Sequence, residues 1–113
     1  MHELSIALSI VELSEEEARK ADATSISKVE VEIGTMAGIE TEALSFAWDS
    51  VIQGTMAQQA KLVINTIQAE AHCLQCGKDF PAENYFVQCP HCSSFRYRIT
   101  KGKELRISSL MVE

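Results

Sequence analysis

Two five-residue stretches, HCLQC at residues 72–76 and QCPHC at residues 88–92, decide how this chain folds. Together they hold all four cysteines of the protein, as two C-x-x-C pairs with residues 77–88 between them. A connection of that length allows a short hairpin that brings the second pair back onto the first. Four thiolates at about 2.3 Å then complete a tetrahedral zinc site with no open position. We therefore predict structural zinc held by Cys73, Cys76, Cys89 and Cys92.

Two other interpretations of the cysteines are two disulfides and four unrelated thiols. Disulfides require an oxidising compartment. The opening Met-His-Glu lacks the basic segment of a signal peptide, and no apolar run approaches the roughly 18 residues that span a bilayer. We therefore expect a reducing cytoplasm, which favours zinc over disulfides.

Length and composition restrict the class of protein. A chain of 113 residues favours one domain with at most a small appendage, and 46% hydrophobic with 23% charged residues is typical of a soluble globular protein. The net charge is −6 and the isoelectric point is near 5.0. An acidic balance of this kind argues against binding to nucleic acid, since such proteins normally carry an excess of basic residues.

Hydrophobic periodicity predicts two helices and several strands. The first helix, from Leu4 to about Asp22, carries apolar residues three and four apart, including Leu4, Ala7, Leu8 and Val11. The second helix runs from about Thr41 to Gln53 and ends before a glycine. Strands are predicted at residues 25–34, 61–71 and 104–112, with a short strand at 95–99 after the last cysteine. In the final strand the apolar phase slips by one residue at Ser108-Ser109, which indicates a β-bulge.

This order of elements predicts an α+β fold. We expect two helices packed on a small, mainly antiparallel three-stranded sheet, with a zinc-ribbon-like module inserted between the last two strands. The corresponding domains are residues 1–71 with 100–113, and the zinc module at 72–99.

The first three residues, Met1-His2-Glu3, form a second group with metal-binding chemistry. A free α-amine, a deprotonated backbone amide and the imidazole of residue 2 can chelate one metal in a plane, and planar nitrogen-rich sets suit Ni(II) or Cu(II). These nitrogens must lose protons to bind, so such a site releases metal as the pH falls. Taken alone, a histidine at position 2 is more often just an exposed terminal residue.

Three motifs, taken together, resemble the HypA/HybF family of nickel-incorporation proteins of hydrogenase maturation. They are the opening MHELS, the segment VEIG…AGIE at residues 31–40, and C-x-x-C-x12-C-P-x-C at residues 73–92. The match covers nearly the whole chain in order. The resemblance implies a nickel metallochaperone with a structural zinc site and a separate, reversible nickel site.

The resemblance also implies roles for individual residues. The nickel ligands would be the Met1 amine, the backbone nitrogens of His2 and Glu3, and the His2 imidazole, with a carboxylate at Glu40 where some family members have aspartate. His72 and His91 match histidines implicated in the response of the zinc site to nickel or pH. From the residues alone, these two histidines are better interpreted as exposed side chains beside a metal-binding turn than as zinc ligands.

Partners follow from the same resemblance. The chain has no G-x-x-x-x-G-K-[ST] phosphate-binding loop, so a nucleotide-driven step would need a partner. The family's partner is the HypB GTPase, its acceptor is the large subunit of nickel–iron hydrogenase, and some members also supply urease. We expect no enzymatic activity, no membrane and no nucleic acid as partner. The alternative function is a zinc-ribbon adaptor or a nucleic-acid-binding module, which the basic run Arg96, Arg98, Lys101 and Lys103 would serve.

Overall fold

The computed structural model describes residues 2–113, and within that range it contains two α-helices and six β-strands. In chain order the elements are α1 (His2–Lys20), β1 (Ile26–Gly34), α2 (Thr41–Val51), β2 (Lys61–Ile67), β3 (Glu70–Cys73), β4 (Asp79–Pro81), β5 (Tyr97–Lys101) and β6 (Leu105–Val112). Both predicted helices are present, although α1 begins two residues earlier than the periodicity suggested.

One three-stranded sheet has the order β2-β1-β6. The Glu113 N–H donates to the Ser25 carbonyl at 2.9 Å, which joins the end of the chain to the start of β1 and makes β6 antiparallel to β1. The Thr35 N–H donates to the Ile67 carbonyl at 2.9 Å, which joins the ends of β1 and β2. These two strands are therefore parallel, with α2 in the crossover between them. The other sheet, β4-β3-β5, is wholly antiparallel, so the predicted α+β class with mainly antiparallel strands is confirmed.

The chain divides into two compact units, which we call the helical unit and the cysteine unit. The helical unit comprises the described residues up to Glu32, then Ile39–Asn65 and Arg106–Glu113. The cysteine unit comprises Ile33–Gly38 and Thr66–Leu105. The functional division into residues 1–71 with 100–113 and residues 72–99 stays a prediction.

Packing of α1 and α2 on the sheet buries the core of the helical unit. Its buried apolar side chains include Ala7, Ile10, Val11, Ala18, Val29, Val31, Leu44 and Trp48. The Trp48 indole N–H donates to the Ala60 carbonyl at 3.2 Å, which satisfies the polar group that the core encloses. The predicted apolar stripe of α1 was wrong in part, because Leu4 and Leu8 are 44% and 45% exposed. The helix carries more apolar residues than its inner face can cover, and these two lie outside it.

The predicted strand at residues 61–71 is two strands, β2 and β3, which belong to different sheets. The chain leaves the first sheet at Gln68-Ala69, where the Ala69 N–H donates to the Thr35 hydroxyl at 3.0 Å. Side chains continue to alternate through the break, so the sequence period could not reveal it. The core of the cysteine unit follows directly, and its buried members are Ala69, Ala71, Cys73, Phe80, Ala82 and Cys89.

Two glycines in the cysteine unit allow a close approach of backbone segments. A Cβ atom on Gly34 would lie 2.0 Å from the carbonyl carbon of Gly102, and a Cβ on Gly102 would lie 2.3 Å from the Ala69 side chain. Neither position has room for a larger residue. This contact fixes the turn before β6 against the point where the chain enters β3.

Candidate metal centres

The four cysteine sulfurs converge on one point. Their Sγ atoms all lie within 4.8 Å of one another, with 3.6 Å between Cys73 and Cys92 and 3.7 Å between Cys76 and Cys89. All four cysteines are free thiols, so no disulfide competes with this arrangement. A tetrahedron with metal–sulfur bonds of about 2.3 Å has edges of about 3.8 Å. The cluster therefore fits a tetrathiolate zinc site.

Each C-x-x-C pair forms the same tight turn. The Gly77 N–H donates to the Cys73 carbonyl at 3.0 Å, and the Ser93 N–H donates to the Cys89 carbonyl at 2.9 Å. Gly77 and Ser93 occupy equivalent positions with φ of +77° and +65°. Glycine adopts this left-handed conformation without strain, whereas the backbone of a serine in it is strained. The second turn is thus held in the metal-binding geometry despite an unfavourable backbone residue.

Backbone N–H groups point at the inner sulfur of each turn. The N–H groups of Gln75 and Cys76 both lie 3.4 Å from the Cys73 sulfur, and the His91 N–H lies 3.4 Å from the Cys89 sulfur. Hydrogen bonds from Cys76 and Gln75, opposed by burial, lower the pKa of Cys73 to about 6. The site therefore stabilises thiolate at its buried end, which is the form that binds metal.

The pKa of Cys92 shifts in the opposite direction when no metal ion is bound. The Ser94 N–H lowers its pKa, but burial and hydrogen bonding with the other three thiols outweigh that effect and raise the pKa to about 12. Four adjacent sulfurs cannot all carry a negative charge without a cation between them. A divalent metal must displace the remaining protons, so occupancy of this site rises with pH.

The two histidines beside the cysteines lie outside the sulfur cluster. Among residues 2–113, the four cysteines are the only group of three or more histidine, cysteine or acidic side chains whose ligand atoms converge. His72 lies on β3 opposite Asp79 on β4, and its Nδ1 atom is 2.7 Å from the Asp79 carboxylate. His91 is exposed within the second turn. The carboxylate partner of His72 was not anticipated, since it depends on strand register.

The amino-terminal group is assembled from the start of α1 and the loop before α2. Met1 lies outside the described residues, and His2 is the exposed first residue of α1. One Glu3 carboxylate oxygen accepts a hydrogen bond from the Glu40 N–H at 3.1 Å, which is the main reason that the pKa of Glu3 lies below its ordinary value. Glu40 precedes the first turn of α2 and is exposed. Glu3 and Glu40 are therefore in contact, and sequence reasoning missed this contact. The side chains of His2, Glu3 and Glu40 do not converge on one point.

The family model described as "Hydrogenase/urease nickel incorporation, metallochaperone, hypA" matches residues 1–112. The chain belongs to the HypA family. HypA proteins are metallochaperones for nickel incorporation and not enzymes, so the four-cysteine site requires no catalytic role.

Relatives and solved structures agree with this family. A hydrogenase maturation factor HypA from Parabacteroides distasonis is 44% identical over 113 residues, which is 100% of this chain and 98% of that protein. The solution structure of the Ni metallochaperone HypA from Helicobacter pylori is 28% identical, with a TM-score of 0.70 over 97% of this chain and 96% of that one. A second HypA solution structure gives a TM-score of 0.74 at 30% identity, over 100% of this chain and 97% of the other.

Proposed function

We propose that this chain carries Ni(II) at its amino terminus and delivers it to nickel–iron hydrogenase. The ligands are the Met1 amine, the backbone nitrogens of His2 and Glu3, and the His2 imidazole. Membership of the HypA family supports nickel as the cargo. Four nitrogens from adjacent residues form a planar set that suits Ni(II).

The start of α1 is the observation that carries this proposal. The first N–H groups of an α-helix have no carbonyl partner within the helix. His2 and Glu3 are the first two helical residues, so their backbone nitrogens can bind a metal without breaking the helix. The positive end of the helix dipole also favours the negative charge of a deprotonated amide.

Glu40 supplies a further nickel ligand. Its backbone is held 3.1 Å from the Glu3 carboxylate, yet within residues 2–113 no hydrogen bond or ion pair engages its own carboxylate. An exposed carboxylate on a separate element can approach and leave the metal while the nitrogens stay bound. Such a ligand suits a site that must release its cargo.

The second metal is structural zinc held by Cys73, Cys76, Cys89 and Cys92. Sulfur spacings close to those of a tetrahedron support this assignment. When bound, zinc supplies charge that neutralises the four thiolates and joins the two turns. His72 and His91 modulate the site from outside the sulfur cluster, and the carboxylate beside His72 fixes its ring.

Delivery involves a HypB-type GTPase and the large subunit of nickel–iron hydrogenase, with urease maturation factors as further partners. The chain itself lacks a phosphate-binding loop, so the energy of nucleotide hydrolysis comes from the GTPase. No helix within residues 2–113 is both long and apolar enough to cross a membrane. We place the protein in the cytoplasm, where its four thiols stay reduced.

Nickel titration of zinc-loaded protein with a native amino terminus tests the proposal. We expect one reversible Ni(II) site that His2→Ala abolishes, and that an added amino-terminal tag abolishes equally because the free amine is lost. Zinc content, measured before and after, stays unchanged in each sample. Undiminished nickel binding by the tagged protein or by His2→Ala would place the nickel elsewhere and overturn the assignment.

A further inference from the structure

A groove on the helical unit shares only Glu3 with the two candidate metal centres. It lies between α1 and α2, has a volume of about 280 Å³, and is lined by Glu3, Leu4, Ala43, Phe46, Ala47 and Ser50. Phe46 is 79% exposed and Leu4 is 44% exposed. Leu8, one turn further along α1, is 45% exposed. Large apolar side chains exposed beside a groove are typical of a protein-binding surface.

One wall of the groove is a continuous face of α2. Ala43, Phe46, Ala47 and Ser50 follow one another on α2 at steps of three and four residues, so they form one continuous face. That face extends for about 10 Å, or two helical turns. The two alanines are small, which allows another backbone to approach closely. An amphipathic helix with apolar residues three and four apart can therefore lie along α2 with Phe46 at its side.

The charge around the groove has one sign. The two helices that form the groove carry seven acidic residues: Glu3, Glu12, Glu15, Glu16, Glu17, Glu42 and Asp49. Their only basic residues are Arg19 and Lys20, at the end of α1. Arg19 and Lys20, at that end, pair with Glu15 and Glu17. The field at the groove is therefore negative and attracts a positive partner.

We propose that this groove binds an amphipathic helix, rich in lysine and arginine, that belongs to another protein. Apolar side chains of that helix contact Leu4, Ala47 and Phe46, while its basic residues face the acidic rim. Glu3 lines one end of the groove, so the bound helix ends beside the nickel ligands. Only this last link to nickel rests on the proposed function, because docking itself requires no metal.

A second copy of this chain does not provide such a helix. Its basic run from Arg96 to Lys103 includes strand β5, and the only basic residues of its helices are Arg19 and Lys20. Neither segment presents apolar residues at helical spacing beside several positive charges. The occupant is therefore a different protein.

Site-specific photocrosslinking tests the proposal in the cells that make this protein. Phe46 is replaced by photoreactive benzoylphenylalanine, and the crosslinked peptides are identified by mass spectrometry. Phe86 in the cysteine unit is the matched control, because it is also phenylalanine and is 93% exposed. We expect position 46, and not position 86, to capture a segment with apolar residues at helical spacing and an excess of lysine and arginine. Capture of a second copy of this chain, capture of an acidic segment, or equal products from both positions would overturn the proposal.

The captured segment is then made as a peptide and titrated against protein that holds zinc at the four cysteines and no metal at the amino terminus. We expect Phe46→Ala to weaken binding at least about tenfold and Phe86→Ala to leave it unchanged. Binding should also weaken as salt is added, because the basic residues meet an acidic rim. Equal affinities for the two variants would refute the groove as the docking site. Nickel is absent throughout, so this result is independent of whether the terminus binds nickel.

Discussion

The carboxylate of Glu3, on the first turn of α1, accepts a 3.1 Å hydrogen bond from the backbone N–H of Glu40, the residue before α2. This bond connects the start of the chain to a loop 37 residues away. The bond uses one of the two carboxylate oxygens of Glu3. The Glu3 carboxylate thus holds the backbone of Glu40 next to the first turn of α1.

Replacement of Glu3 by alanine should separate the Glu40 loop from the amino terminus. We expect amide hydrogen exchange at Glu40 to accelerate, because its N–H loses its acceptor, and nickel affinity to fall while the zinc content stays constant. Exchange measured by NMR and nickel titration check the two effects. Glu12→Ala, also on α1 and exposed, is the control and should change neither quantity. Unchanged exchange at Glu40 would mean that this bond does not hold the loop.

The pH dependence of that bond has a definite direction. The Glu40 N–H lowers the pKa of Glu3 in the folded protein below its ordinary value of 4.5. The bond therefore stabilises the fold at pH values above 4.5. This stabilisation is lost as the pH falls through the pKa that Glu3 has in the folded protein. The Glu40 amide signal in NMR spectra should therefore stay constant between pH 7 and about 5 and shift only in more acidic solution. If nickel leaves between pH 7 and 5 while this signal is constant, protonation of the terminal nitrogens causes the release. A shift of the amide signal in that upper range would contradict the assignment.

Loss of one zinc ligand should affect the two units differently. Cys73 is buried among Ala69, Ala71 and Phe80, so Cys73→Ala removes zinc and the centre of the small core in the cysteine unit. We expect NMR signals of residues 66–105 to lose their dispersion, while those of the helical unit keep theirs. Removal of zinc from the natural chain by a chelator should reproduce the pattern. Collapse of signals from both units would show that they do not fold separately.

Much of this arrangement follows from local sequence patterns. Two C-x-x-C pairs predict a cluster of thiols because the spacing alone lets both sulfurs of a turn reach one ion. Both helices were predictable from apolar residues at steps of three and four. The break at Gln68-Ala69 was not, because β2 and β3 share one alternating pattern and the hydrogen bonds of Ala69 with Thr35 and Ala82 join segments far apart in the sequence. The phase slip at Ser108-Ser109 predicts a bulge, and the hydroxyls of both serines reach Glu30, one on its carbonyl and one on its carboxylate.

Contacts between distant segments account for what the sequence could not provide. Glu3 reaches Glu40, and His72 reaches Asp79, through the packing of α1 near α2 and the register of β3 with β4. No spacing rule within one segment specifies either pair. The exposure of Leu4 and Leu8 has a similar origin, since periodicity shows which residues share a face but not how much of that face a neighbour covers.

Gly34 should tolerate no side chain. A Cβ atom at position 34 would lie 2.0 Å from backbone atoms of Gly102, and Gly102 in turn lies against Ala69. Because these segments cannot separate without disturbing the core, we expect Gly34→Ala to destabilise the protein by about 2–3 kcal/mol. Gly38→Ala is the control, because Gly38 has a φ of +74° and open space around it. A side chain there meets no clash, so we expect a loss of only about 1–2 kcal/mol from backbone strain. Urea unfolding with zinc present measures both. Equal losses would mean that the close approach of Gly34 and Gly102 is easily relaxed.

The two equivalent positions after the cysteine pairs should respond to substitution in opposite directions. Ser93 holds a φ of +65°, so Ser93→Gly removes backbone strain and should stabilise the second turn by about 1 kcal/mol. Its carbonyl still accepts the hydrogen bond from the Gln88 amide at 2.9 Å, because that bond uses only the backbone of residue 93. Gly77→Ala introduces the same strain into the first turn and should destabilise it by about 1 kcal/mol. Transfer of zinc to a chelator should consequently be slower in Ser93→Gly and faster in Gly77→Ala than in the natural chain. If the two substitutions changed the transfer rate in the same direction, the turns would not be equivalent and the left-handed residue would not limit metal retention.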